Sequence, residues 1–166
     1  MSTEVHITKA LPENYAAVAD IYNEHIQLGK SSMEESLKTP ADIAGWVNNF
    51  NARERLFVLQ NATQVIGWGI IKRYSDRHGY RFACETAVYL TQSEVGKGYG
   101  TRLKKHLLTI CKSLEYHHLI AKIFADNEES IRYNEKLGYT IVGRQNEIGF
   151  KNGKWQDIVI MQYLIK

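Results

Sequence analysis

The sequence predicts an α/β fold in which helices flank a mixed sheet. Strand-like and helix-like patterns follow one another in the order βααβββαβαββ, which is typical of this class. A glycine-rich loop at 95–100 joins a strand-like run to a helix-like run. A length of 166 residues, 44% of them hydrophobic, suits one domain, 1–166, with a substantial core.

The amino-terminal half predicts one strand, two helices and then three strands. Apolar residues recur at helical spacing between Val18 and Ile26, and Gly29 then ends that helix. Thr39 and Pro40 form a helix start, since proline is tolerated in the first turn. The predicted strands are 5–7, 56–59, 65–71 and 80–90.

The carboxyl-terminal half predicts two helices and three strands. The first helix spans 101–114, with its apolar face at Leu103, Leu107, Ile110 and Leu114. The adjacent Lys104 and Lys105 are interpreted as a solvated face of that helix. Asn127 is a good N-cap and Gly138 a good terminator for a helix over 127–137. The remaining strands are 119–125, 140–142 and 158–164, the last two being joined through a turn region at 149–153.

The loop Val95-Gly96-Lys97-Gly98-Tyr99-Gly100 is a candidate phosphate cradle. Alternate glycines let the main chain approach a ligand, and the following helix adds the positive end of its dipole. The loop lacks the spacing of an NTPase P-loop. It also fails the G-x-G-x-x-G pattern, because Leu103 occupies the third glycine position.

Composition narrows the functional classes. A net charge of +3 with scattered basic residues suits a small anionic ligand better than nucleic acid. Cys84 and Cys111 lie in apolar patterns and are interpreted as reduced core residues, and the histidines show no metal-ligand spacing. The polar segment 1–4 and the absence of a long apolar run predict a cytoplasmic protein without a membrane segment.

Two motifs in order resemble those of the GNAT acetyltransferases. Gly98 and Gly100 fill the small positions of that family's pyrophosphate loop, [RQ]-x-x-G-x-[GA], although Val95 stands where the family has Arg or Gln. The segment from Asn127 to Tyr139 is similar to the family's N-x-x-[SA]-…-K-x-G-[FY]. The resemblance implies a mostly antiparallel, twisted sheet splayed between strands 4 and 5, with a bulge in strand 4.

The resemblance extends to the phosphinothricin acetyltransferase-like branch and covers about 5–161. The matching segments are Ile21–Glu24, Ser32–Glu34, Tyr80-Arg81, Glu85–Leu90 and Phe150–Asp157. It implies an acetyl-CoA-dependent N-acetyltransferase, EC 2.3.1, that modifies a small primary amine by direct attack on the thioester. It also implies a homodimer.

The resemblance further implies roles for individual residues. Glu85 is the candidate general base and Glu34 lines the acceptor site with Met33. The residues implied to bind acetyl-CoA are Val88, Tyr89, Leu90, Val95, Gly96, Lys97, Gly98, Tyr99, Gly100, Asn127, Ser130 and Asn134.

Two positions depart from the branch. Asn134 stands where related enzymes carry Tyr or His, and an amide can hydrogen-bond a thiolate but cannot act as its general acid. Tyr133 lies about 100° away around a helix and is not expected to substitute. In the acceptor site, Tyr74-Ser75 replaces an aromatic-Arg pair. Arg73, Arg77 or Arg81 then supplies the charge, and Arg81 is the candidate that matches the family.

Two alternatives remain open. One is acetylation of protein N-termini or lysines, which favours an open acceptor groove. The other is an acetyl-CoA-binding sensor without catalysis, which the residues at 95 and 134 leave possible. A loop at 29–37 that closes over the site argues for a small acceptor.

Overall fold

The computed structural model describes residues 4–166; most of the polar segment 1–4 therefore lies outside it. The strands are His6–Lys9 (β1), Arg55–Gln60 (β2), Val65–Arg73 (β3), Ala83–Leu90 (β4), His118–Phe124 (β5), Thr140–Lys151 (β6) and Lys154–Leu164 (β7). The helices are Tyr15–Leu28 (α1), Pro40–Asn48 (α2), Tyr99–Ser113 (α3) and Glu128–Leu137 (α4). The strands form one seven-stranded sheet of order β1-β2-β3-β4-β5-β7-β6. No helix within 4–166 is long and apolar enough to cross a bilayer.

The sheet is antiparallel except between β4 and β5, which confirms the predicted mixed sheet. These two parallel strands pair only from Ala83 and His118 to Glu85 and Ile120. Beyond that point β4 continues to Leu90 and β5 to Phe124 without pairing, so a gap opens between them. The predicted bulge in β4 is wrong, because its ladder with β3 keeps one unbroken register. The splay, rather than a bulge, frees one edge of β4.

Local signals placed three helix ends correctly, at Gly29, Thr39 and Gly138. Gly29 closes α1 in the left-handed conformation at φ 70°, and Gly138 closes α4 at φ 107°. The Thr39 hydroxyl accepts from the Asp42 amide, and the Asp42 carboxylate accepts in return from the Thr39 amide. This capping box satisfies donors that the first turn of α2 leaves free.

Strand ends were predicted less well. The predicted strand from Tyr80 begins only at Ala83, because Tyr80 and Arg81 donate to Arg77 and His78 in a tight turn instead. β6 is much longer than the predicted 140–142, and it meets β7 in a two-residue hairpin. Its polar residues show no alternation, since β6 is an exposed edge strand.

Helices cover both faces of the sheet. α1 and α2 pack on one face through residues that include Val18, Ile43 and Trp68. α3 and α4 pack on the other, where Leu107 lies in the main core. Gly69 of β3 faces α3, and a Cβ there would lie 3.2 Å from the Leu107 side chain. Because Gly69 has no side chain, α3 can pack close to the sheet at this point.

Candidate active site

The glycine loop presents main-chain donors to the open end of the gap. Gly96 and Gly98 adopt φ 86° and 84°, and a Cβ at either would meet no atom within 4 Å. Arg102 N–H donates to Gly98 C=O in the first helical bond of α3. The N–H groups of 99–101 therefore have no partner within the helix. Together with the helix dipole they form a site for an anion.

The free edge of β4 supplies further main-chain groups. Thr91 N–H donates to Ile66 C=O, and Tyr74 N–H to Ala83 C=O, so odd-numbered residues of β4 face β3. In an antiparallel ladder the orientation alternates along the strand. The residues whose main-chain groups face the gap are therefore Thr86, Val88 and Leu90.

The carbonyl of Leu90 is already hydrogen-bonded to a side chain, whereas the N–H of Val88 faces the gap. The carbonyl of Leu90 lies 2.7 Å from Nε2 of His25. Since a carbonyl only accepts, Nε2 carries the proton, and Nδ1 then accepts from the Ser31 hydroxyl at 2.6 Å. Burial lowers the pKa of His25, which favours this neutral form. The N–H of Val88 lies beside the gap, whereas the main chain of Tyr89 is turned toward β3.

The other wall of the gap comes from α4. Asn127 caps this helix by accepting from the Ser130 amide at 3.2 Å, which leaves its amide nitrogen available to a ligand. Asn134 is 1% exposed and donates to the Ser130 carbonyl at 2.8 Å, while its buried Oδ1 has no partner in residues 4–166. Tyr133 lines the same space, so a turn of about 100° does not exclude it as the sequence argument assumed.

These walls enclose a cavity of about 260 Å³, called the gap cavity here. The predicted cofactor residues that line it are Val88, Tyr89, Leu90, Val95, Gly96, Gly98, Gly100, Asn127, Ser130 and Asn134. Lys97 and Tyr99 do not line it: Lys97 pairs with Glu94 at 3.0 Å, and Tyr99 packs against a core cluster. A narrow slot with free main-chain donors at its open end fits a pantetheine arm carrying a pyrophosphate.

A second cavity of about 550 Å³, the face cavity, lies on the α1 and α2 side of the sheet. Glu85, Lys72 and Lys122 form a row across β4, β3 and β5 at its floor. The Lys122 ammonium lies 3.5 Å from the Glu85 carboxylate. Thr86 lines both cavities, so they meet at the residue next to Glu85.

Four aromatic side chains form one wall of the face cavity. They are Tyr22, Trp46, Trp68 and Tyr89, which stack with ring centres between 4.7 and 5.8 Å apart. The indole N–H of Trp68 is buried and has no partner in the described chain. The wall therefore combines an apolar surface with one free donor.

The segment Ile21–Glu24 of α1 holds two neighbouring loops in place. Asn23 accepts from the Lys38 amide and donates to its carbonyl, which holds the loop 29–39. Glu24 accepts from the Thr91 hydroxyl and the Gln92 amide, which fixes the chain that leads into the glycine loop. This segment, which matches the family by resemblance, thus fixes loops that lead to the face cavity and the gap cavity.

The predicted acceptor residues divide into two groups. Met33 and Glu34 line the face cavity, with Glu34 paired to Lys38 at 2.9 Å. Tyr74 and Arg81 lie outside it: Tyr74 stacks on Tyr80, and the Arg81 guanidinium lies over Phe82. The tight turn that replaces the predicted strand start carries Arg81 away from the cavity. Arg73 is the one of the three named arginines that lines it, already paired with Glu54 and Asp76.

Several residues that line the cavities were not predicted from the sequence. Lys104 was interpreted as solvated but is 2% exposed and lines the gap cavity. Its spacing to Leu107 and Cys111 places it on the apolar face of α3, a signal that the sequence contained. Lys72 and Lys122 carried no local signal, because only strand pairing brings them beside Glu85.

Comparisons with known proteins agree with this geometry. Residues 13–160 match the family model described as acetyltransferase (GNAT) domain. The phosphinothricin N-acetyltransferase of Streptomyces viridochromogenes is 28% identical over 95% of this chain and 86% of its own. The L-methionine sulfoximine/L-methionine sulfone acetyltransferase of Pseudomonas paraeruginosa is 30% identical over 89% of this chain and 90% of its own.

A solved structure shows the same fold with its ligand. It is a GNAT superfamily phosphinothricin acetyltransferase from Sinorhizobium meliloti in complex with acetyl-CoA. Its TM-score is 0.91 at 27% identity, covering 97% of this chain and 88% of that one. The gap cavity and the two motifs, with the family match over most of the chain, lead to one conclusion. This chain belongs to the GNAT acetyltransferases, the enzymes that use acetyl-CoA as acetyl donor.

Proposed function

We propose that the protein acetylates the primary amine of a small carboxylate-bearing acceptor, an amino acid or analogue of the phosphinothricin or methionine sulfoximine kind. One observation carries this proposal: Glu85 lies where the gap cavity meets the face cavity, between Lys72 and Lys122. The acceptor enters the face cavity, acetyl-CoA occupies the gap cavity, and the amine attacks the thioester at their boundary.

Glu85 acts as the general base. The acceptor arrives as an ammonium ion, and the Glu85 carboxylate removes its proton directly or through water. The free amine then forms the C–N bond as the C–S bond breaks. Val88 N–H, on the free edge of β4, donates to the oxygen on which negative charge develops. Asn127 and the loop 95–100 hold acetyl-CoA, with Ser130 and Asn134 beside the pantetheine arm.

The cations around the face cavity support a carboxylate on the acceptor. Arg73 pairs with Glu54, Lys38 with Glu34, and Lys122 with Glu85. Lys72 forms no ion pair among residues 4–166, although it lines the cavity opposite Glu85. One ammonium therefore remains available, and a carboxylate on the acceptor neutralises it.

The aromatic wall defines the acceptor side chain. Its rings suit an apolar chain of moderate length, and the buried Trp68 N–H suits an oxygen on that chain. Sulfone, sulfoximine and phosphinate groups each provide such an oxygen. This matches what the two relatives are named for.

The loop 29–37 favours a small acceptor over a protein. Ser31, Ser32, Met33 and Glu34 line the face cavity. Lys151 of the β6–β7 hairpin is buried and donates to the Ser32 carbonyl, which fastens the loop across the site. A closed site of this kind leaves little room for a polypeptide.

An amine panel with thiol release as readout tests the acceptor. We expect methionine sulfone and similar amino acids to exceed their decarboxylated amines about tenfold in kcat/KM, since a charged hydrogen bond contributes roughly 1.5 kcal/mol or more. Lys72→Met should remove that ratio while leaving the decarboxylated amine, the matched control substrate, unchanged. Faster turnover of peptide N-termini or lysines would instead identify a protein acetyltransferase.

We further propose the homodimer that the resemblance implies, located in the cytoplasm. Phe150 and Trp155 on the β6–β7 hairpin are 57% and 61% exposed and stack on each other. Light scattering coupled to gel filtration should give twice the chain mass, and Trp155→Ser should reduce it. A monomeric mass for the unmodified protein would refute the dimer.

A further inference from the structure

Lys104 is a buried cation that the reaction described above does not use. It lies on α3, is 2% exposed and lines the gap cavity. Its ammonium sits 4.8 Å from the centre of the Tyr139 ring, and it forms no ion pair with any described residue. A buried ammonium without a carboxylate is costly to the fold, so an apolar side chain would be the stabler choice.

Its position points to the reacting end of acetyl-CoA. Tyr139, beneath the ammonium, shares a hydrogen bond of 3.1 Å with Thr86. Thr86 follows Glu85 at the point where β4 and β5 separate, and it lines both cavities. Glu85 lies on the face-cavity side of β4, whereas Lys104 lies on the α3 side. The amine therefore approaches from one side of β4, and the sulfur departs on the other.

We propose that Lys104 is the proton donor to the departing CoA thiolate. The C–N bond forms as the C–S bond breaks, and the electron pair of that bond goes to sulfur. The Lys104 ammonium gives a proton to the sulfur, and the proton taken from the acceptor leaves through Glu85. Solvent then reprotonates Lys104. This proposal rests on acetyl transfer to an amine but not on which amine accepts it.

The surroundings of Lys104 support transfer near neutral pH. Burial lowers its pKa to about 8, close to the value of about 8.5 for a free thiol. The titratable groups that face it are Cys111 on α3, Cys84 on β4 and Tyr139, and Glu85 acts on it from the opposite face of β4. Hydrogen bonding to Cys111 and burial raise the pKa of Cys84, and burial raises that of Tyr139.

Activity against pH tests the proposal in three variants. For the unmodified protein we expect the single-turnover rate to fall above about pH 8, where Lys104 loses its proton. Lys104→Met, nearly isosteric, should be about 10²-fold slower at pH 7 and lack this fall. Lys104→Arg keeps the charge but does not release a proton, so it should stay as slow as Lys104→Met. Lys105→Met, the exposed neighbour, is the matched control and should match the unmodified protein.

A second readout needs no acceptor. The ultraviolet absorbance of the thiolate gives the pKa of bound CoA, with desulfo-CoA as the blank. In the unmodified protein we expect the thiol pKa of bound CoA to lie below that of CoA in solution. In Lys104→Met we expect it to lie above that of CoA in solution. Because this titration needs no acceptor amine, it separates failure of the Lys104 proposal from failure of the proposed acceptor.

Three outcomes would overturn the proposal. Recovery of the rate by Lys104→Arg would show that charge alone matters. An alkaline fall that persists in Lys104→Met would assign it to another group. Acetylation of Lys104 on incubation with acetyl-CoA alone, detected by mass spectrometry, would make Lys104 a nucleophile rather than an acid.

Discussion

The gap cavity and the face cavity share lining residues, Thr86 among them, but are built differently. The gap cavity presents main-chain groups, from the loop 95–100 and the free edge of β4, with Asn127 as cap of α4. The face cavity is lined by residues from α1, α2, five strands and the loop 29–37. Acetyl-CoA therefore meets groups that a backbone conformation fixes, whereas the acceptor meets groups that tertiary packing brings together.

This difference predicts how each cavity responds to substitution. Changes in the gap cavity should alter acetyl-CoA binding equally for every acceptor. Changes in the face cavity should alter rate or acceptor KM without altering acetyl-CoA affinity. Single substitutions in each cavity test this expectation.

The largest effect is expected from Gly98→Glu in the gap cavity. A carboxylate would meet the pyrophosphate, and like charges in contact cost several kcal/mol. We expect acetyl-CoA affinity to fall at least about 100-fold by calorimetry. Gly98→Ala is the matched control, because it carries the same left-handed strain of about 1–2 kcal/mol without the charge. Equal losses in both variants would show that backbone strain, not the anion site, explains the effect.

Glu85→Gln should have the next largest effect, on the face-cavity side. The amide keeps the size but cannot accept a proton, so the rate should fall about 10²-fold. Acetyl-CoA affinity should not change. Glu34→Gln is the comparison, since Glu34 lines the same cavity and should alter acceptor KM more than kcat. A Glu85→Gln enzyme active within a few-fold between pH 6 and 9 would make Glu85 structural.

The same division explains what the sequence could predict. Gly98, Asn127 and Gly138 act through local backbone geometry, so their neighbours in sequence identify them. The caps of α1 and α2 were predicted for the same reason. Lys72 and Lys122 lie on separate strands, and only the order of the sheet brings them beside Glu85.

Two errors concern the bounds of strands. Tyr80 and Arg81 have strand-like neighbours, but local hydrogen bonds around Gly79 form a tight turn there. β6 gave almost no signal, because an exposed edge strand lacks apolar alternation. The error at Lys104 has a different origin. Helical spacing already placed Lys104 on the apolar face of α3, but its charge was taken as a sign of exposure to solvent.

Gly149→Ala should have an intermediate effect confined to the acceptor. A Cβ at Gly149 would lie 2.5 Å from the Met33 side chain, so Met33 must rotate within the face cavity. We expect acceptor KM to change about three- to tenfold, which corresponds to roughly 1 kcal/mol, with acetyl-CoA affinity unchanged. Gly143→Ala, on the same strand with no atom within 4 Å of the added Cβ, is the matched control. An equal change in both would locate the effect in β6 rather than in Met33.

The smallest effect is expected from Asn134→Ala in the gap cavity. Asn134 makes one hydrogen bond to Ser130 and has a buried Oδ1 without a partner, so it can contribute about 1 kcal/mol to holding the pantetheine or the thiolate. The rate should therefore fall no more than about fivefold, and the alkaline fall near pH 8 should persist.

Tyr133→Phe should preserve that fall as well, because burial raises the pKa of Tyr133 above its ordinary value of 10.0 and keeps the phenol neutral in this range. Rates measured from pH 6 to 10 check both variants. If the alkaline fall vanished in Tyr133→Phe but remained in Lys104→Met, Tyr133 would be the acid of the gap cavity, as its place on the cavity wall permits.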